Sequence, residues 1–144
     1  MSEDYAGFVT RAIAFAIDVA LVDLAAVIVA IVVGLGISAF ELPDVVVTIA
    51  IAAGGVAYLA WFVGYFAMFW STTGQTPGAR IMGVRVVCVG GEPLRLRGAV
   101  VRLAGMALAA LPLFAGFLLI LVDDRRRGLQ DRLARTVVVY DPLS

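Results

Sequence analysis

The sequence predicts a membrane protein, mainly α, with two transmembrane helices, a re-entrant helical hairpin and a small cytoplasmic β element. Three observations carry that class. Of 144 residues 62% are hydrophobic and the mean hydropathy is +1.03, more apolar surface than a soluble domain of this size can bury. Two apolar runs are each long enough to cross a bilayer. Arginines crowd the segments after those runs, whereas the loop between them carries only acids.

The first run, residues 12–37, exceeds the roughly 20 residues a helix needs to cross hydrocarbon, and is interrupted only by Asp18 and Asp23. A cleaved signal peptide fits poorly, because Glu3 and Asp4 stand where a basic region belongs and the apolar core is too long. Residues 38–44, with Glu41, Pro43 and Asp44, form a short polar turn. The second run, residues 45–70, carries Tyr58, Trp61, Tyr65 and Trp70, the last placed for an interfacial belt.

Residues 71–78 leave the hydrocarbon as a turn, in which Thr76 and Pro77 suit the N-cap and first position of a short helix. A β-branched run at 84–89, Gly90-Gly91 and residues 92–97 spell a tight β-hairpin, with Pro93 making the second arm an edge strand. Residues 98–122 are apolar again, with Arg102 near the start and the helix-breaking Pro112 near the middle. The tail at 123–135 holds five arginines and a short helix after Gly128, and residues 136–140 form a β-branched strand.

Charge assigns the sides. Arg80, Arg85, Arg95 and Arg97 follow the second span, so both termini of the two-span unit belong in the cytoplasm. A complete third crossing by 98–122 would carry Arg125, Arg126, Arg127, Arg132 and Arg135 outside, against the same rule. Two half-helices turning at Pro112 and returning to the cytoplasmic face avoid this, and a true third span is the alternative.

Basic and acidic residues balance at eleven each, which gives no argument for a nucleic-acid partner. There is no His and no Lys, which excludes histidine-dependent chemistry, Schiff bases and phosphate-loop lysines. The single Cys88 suits a small buried apolar position. Neither an enzyme active site, a cofactor nor a metal centre is expected.

The intramembrane polar candidates are Arg11, Asp18, Asp23 and Arg102. A carboxylate within a span costs about 2.5–3.5 kcal/mol on insertion scales, so these acids should face protein or water. Arg11 precedes Asp18 by seven residues, nearly on one face but roughly 10 Å along the axis, too far for a direct pair. Asp23 points about 140° away from Asp18. With Arg11 free to snorkel to the head groups, Arg102 is the expected partner of Asp18. Such a pair is either a packing latch or part of an aqueous site where Asp18 titrates or binds a cation.

These residues resemble the RDD (Arg-Asp-Asp) family of small bacterial membrane proteins. Arg11 at the head of the first helix with Asp18 in its middle is similar to the family's first signature. Gly74-Gln75-Thr76-Pro77-Gly78-Ala79-Arg80 resembles the second, where Ala79 replaces a common Lys. Gly128-Leu129-Gln130-Asp131 resembles the third, with Asp131 the second aspartate, Gln130 at a usual His and Arg135 at a usual Gly. The resemblance implies a transport-related role, cation/proton antiport being suggested for some members; the changes at Ala79 and Gln130 remove a charge and a titratable group. The expectation is a small cation or proton-coupled transport component in the bacterial cytoplasmic membrane, homo-oligomeric because two spans enclose no pathway. The alternative is an accessory or scaffold subunit of a larger membrane complex.

Overall fold

The computed structural model describes residues 5–111 and 115–141. Two long helices dominate it, α1 (Phe8–Ala39) and α2 (Asp44–Thr72). At 1.5 Å per residue these are about 48 and 43 Å long, and both are apolar enough to cross a membrane. Pro43, with its fixed φ of −58°, starts α2 immediately after the turn.

The two helices are packed at one end only. On α1 the buried positions are Ala14, Asp18 and Val22, one stripe at four-residue spacing near the N-terminus; on α2 they are Phe66, Ala67 and Trp70 near the C-terminus. Because the helices are antiparallel neighbours joined by a short turn, these stripes meet at the same end. Phe15, Phe62, Tyr65, Phe66 and Trp70 form a chain of tilted and edge-on rings there, with neighbouring centroids 5.1–5.4 Å apart.

The rest of the chain covers that packed end. After α3 (Pro77–Ile81) comes β1 (Val84–Cys88), which pairs antiparallel with β2 (Thr136–Tyr140), Val86 opposite Val138. Tyr5 bridges to Val139, and Ala6 N donates to Val138 O at 2.9 Å. The expected second arm at 92–97 is not a strand. Gly91, at φ +81°, donates to Cys88 O, and Cys88 N donates to Glu92 O, but Pro93 has no N–H to continue the ladder. Leu94 turns into the core instead, and a helix begins at Leu96.

That helix is α4 (Leu96–Ala110), followed by α5 (Ala115–Val122) and α6 (Leu129–Ala134). At about 22 and 12 Å, neither α4 nor α5 reaches across some 30 Å of hydrocarbon. They pack on each other so closely that a Cβ on Gly116 would stand 2.7 Å from Ala109. The turn expected at Pro112 lies outside the described residues. One turn earlier on the same face of α4, a Cβ on Gly105 would stand 2.8 Å from Gln130 Cα, so glycine lets the α4 and α6 backbones approach closely.

Candidate functional site

Two carboxylates lie buried at the packed end, held in different ways. Asp131, in the first turn of α6, is fully enclosed. Arg102 Nη1 from α4 donates to its Oδ1, and Arg11 Nη1 from α1 donates to its Oδ2 at 2.6 Å. Gly128 N, at the α6 N-cap, adds a bond to Oδ2 at 2.9 Å, a reach-back contact typical of a helix start. The arginines are themselves fixed: Arg11 Nε donates to Ala6 O at 3.0 Å, and Arg102 Nη1 donates to Thr136 Oγ1 at 2.8 Å. The Arg102 guanidinium stands 5.0 Å from the Trp70 ring centre, a cation–π contact. This clasp joins α1, α2, α4, α6 and β2.

Asp18 has no arginine. Its Oδ1 accepts from Tyr65 Oη at 2.9 Å and from Gly78 N at 2.7 Å, and its Oδ2 accepts from Thr76 Oγ1. Thr76 is the N-cap of α3 and Pro77 its first residue; the Thr76 hydroxyl also accepts from Ala79 N at 3.2 Å. Gly78 permits the approach, because a Cβ there would lie 2.2 Å from Ala14 O and 2.9 Å from Asp18 Cγ. A carboxylate satisfied by neutral hydroxyls and a backbone N–H thus pins α3 to the N-terminal part of α1.

The expected pair of Asp18 with Arg102 is therefore corrected. Arg102 pairs with Asp131, and so does Arg11, which does not snorkel away. The physical reason is the close α4–α6 approach at Gly105, which carries Asp131 to Arg102 and leaves Asp18 to the loop after α2. Asp23 does not join either group. It accepts from Tyr58 Oη at 2.6 Å inside an apolar cleft between the far halves of α1 and α2.

The other residues of the second and third motifs shape the loops. Gly74 adopts φ +70° and its carbonyl accepts from Val86 N at 2.8 Å, closing the free edge of β1. Gln75 is buried and donates to Val84 O and Asp141 Oδ2, each at 3.2 Å. Arg80 is exposed. Asp123 accepts from Arg127 Nε at 3.1 Å and Arg132 Nη2 at 2.8 Å; the Arg127 bond holds its carboxyl well below the usual carboxylate range, with burial opposing. Sequence reasoning does not single out Tyr65, Trp70 or Thr136 for this site. The signal for Tyr65 was a phenol in a span opposite an unpaired intramembrane acid; Thr136 gave none beyond its β-branching.

A cavity of about 260 Å³ opens between the clasp and the Asp18 cradle, lined by Arg11, Asp18, Thr76, Arg102 and Gln130 among mostly apolar walls. Among the described residues no group of three or more His, Cys, Asp or Glu side chains could hold a metal ion.

Two long apolar helices, with charged groups buried where one end is packed, define a membrane protein. The RDD family model matches residues 5–135, and the chain belongs to the RDD family. It is 34% identical over 90 residues to the proline-rich antigen homolog of Mycobacterium tuberculosis, in strains CDC 1551 / Oshkosh and ATCC 25618 / H37Rv. That stretch is 62% of this chain but 36% of the relative, so the match spans about a third of the curated relatives' length. No solved structure matches.

Proposed function

We propose that this chain is a non-enzymatic accessory or scaffold subunit of a larger assembly in the bacterial cytoplasmic membrane, and that its buried charges are packing latches. One observation carries the reading: both carboxylates at the packed end already bind elements together, Asp131 through two arginines and Asp18 through three neutral donors. An ion-carrying Asp18 would have to surrender bonds that pin α3 to α1. The exposed far halves of α1 and α2 leave apolar surface for lipid, another copy or another membrane subunit.

In this reading both termini and the β1–β2 sheet are cytoplasmic, and α4 and α5 form the re-entrant hairpin. The arginine distribution supports that orientation, as do two helices each too short to span. A cysteine at Ser38 should label from outside, and Cys88 should not; the reverse pattern would invert the topology. The competing reading is a cation or proton-coupled transport component, favoured by the position of Asp18 on the cavity wall. Purified protein in vesicles decides between them. The scaffold reading expects no cation- or pH-driven flux above empty vesicles, and flux that Asp18→Asn abolishes would replace it with transport.

A further inference from the structure

The far halves of α1 and α2 hold a polar group that the packed end does not use. Asp23 lies within two residues of the centre of the apolar run 12–37, and Tyr58 at the centre of the run 45–70, so both stand within about 3 Å of the middle of their spans. Tyr58 Oη donates to Asp23 Oδ1 at 2.6 Å. Among the described residues that is the carboxylate's one hydrogen bond. The other oxygen, Oδ2, accepts none and is not enclosed, because Asp23 is only half-buried and forms part of a cleft wall. An acid at that depth, bonded through one oxygen and open at the other, is costly unless a neighbour completes it.

The cleft has the shape for a helix. It runs along α1 from Asp23 to Ile37, about 21 Å, against a wall that α2 supplies from Ala50 to Trp61, and its volume is about 860 Å³. Apart from Asp23, Tyr58 and Trp61, the lining is aliphatic or glycine. Gly34 and Gly54 face open space where a side chain would stand, so a third helix can settle close to both backbones. Small residues alone would suit any helix or an acyl chain. The carboxylate selects among them, since lipid tails offer it nothing and a basic side chain offers both charge and donors.

A second copy of this chain does not supply that group. The sequence has no Lys and no His, and α2 has no Arg. The one Arg of α1, Arg11, is twelve residues from Asp23, about 18 Å along the axis, and is tied to Asp131, as is Arg102.

We propose that this cleft receives a transmembrane helix of a different membrane protein, one that carries a Lys or Arg at mid-span. Its cation meets Asp23 Oδ2 while Tyr58 holds the carboxylate through Oδ1. This rests on the accessory-subunit reading and names the chemistry of the partner such a subunit joins.

The test uses full-length protein in phosphatidylcholine vesicles, with a donor dye on Ser38→Cys in a Cys88→Ser background. Synthetic apolar helices of about 23 residues carry the acceptor dye and differ at one central residue, which is Lys, Leu or Asp. Saturable energy transfer is expected with the Lys helix, and association about tenfold weaker with the Leu and Asp helices, the ratio that one interhelical charged contact gives. Asp23→Asn should bring the Lys helix down to the Leu level. Gly54→Leu, which fills the cleft from a position with open space around it, should weaken the Lys helix several-fold. Thermal midpoints in detergent establish that both variants are folded. Equal transfer with the Leu or Asp helix, no saturation, or undiminished Lys association in either folded variant would overturn the proposal. Self-association of donor- and acceptor-labelled protein that Asp23→Asn abolishes would also overturn it, and would assign the cleft to a second copy. Asp18-dependent ion flux is read in vesicles without any added helix, so failure of the accessory-subunit reading is distinguishable from failure of this one.

Discussion

Asp131 and Asp18 are both buried, yet the first is compensated by full charges and the second by dipoles. The difference teaches where removal of a charge should hurt. Take the carboxylate from Asp131, and two buried guanidiniums lose their counter-ion in a low-dielectric setting. Take the charge from Asp18, and no hydrogen-bond partner of it is left as an unpaired charge. Its three donors need only an acceptor and, at Thr76, a hydroxyl that can accept in turn.

The largest expected effect follows directly. Asp131→Asn should destabilise the protein by about 3–5 kcal/mol, seen as a large fall of the thermal midpoint in detergent or as failure to accumulate. Adding Arg102→Gln should restore part of that loss. If Asp131→Asn is no worse than Asp18→Asn, the contrast between the two carboxylates is wrong.

Gly78→Ala probes the cradle sterically. Its Cβ would meet Ala14 O at 2.2 Å, so α3 must retreat from α1, at a cost of about 2 kcal/mol. An unchanged midpoint would mean that the α1–α3 approach is looser than described. Asp18→Asn should cost only about 1 kcal/mol, because the amide oxygen can still accept from Tyr65 and Gly78 while its NH₂ donates to Thr76. Arg102→Gln should not rescue it. Rescue would restore the pairing of Asp18 with Arg102 that the sequence suggested and the structure replaces.

The smallest effect belongs to the surface. Asp123 has its folded pKa below its ordinary 3.8, so its contribution is complete above that value and fades as pH falls through the folded pKa. Opening of the loop between α5 and α6, read as amide exchange corrected for its intrinsic pH dependence, should therefore increase only as pH falls below 3.8, and Asp123→Asn should remove most of that dependence. Exchange in that loop that stays unchanged below 3.8 would mean that the Arg127 and Arg132 bonds to Asp123 do not hold it.

What was legible in the sequence was local. Two runs of apolar residues gave two long helices, because spanning length and composition are properties of consecutive residues. Thr76 followed by Pro77 marked a helix start for the same reason, since a cap acts within three residues. The β-branched runs at 84–89 and 136–140 were visible too, the first becoming the strand Val84–Cys88. The false hairpin arm at 92–97 shows the limit of such local cues: two glycines and a following extended segment look alike whether or not the ladder continues past Pro93.

The tertiary structure alone decided which charge meets which. Arg11 and Asp131 are 120 residues apart, and Arg102 and Asp131 are 29 apart, so no periodicity connects them. Their meeting depends on close approaches at Gly105 and Gly116, where the absence of a side chain matters only once α4, α5 and α6 are stacked. The sequence by itself determined that carboxylates buried in this chain would need partners. Whether each partner was a guanidinium or a hydroxyl depended on a packing distance of a few ångströms, which burial energy sets through the fold as a whole and no short stretch of residues records.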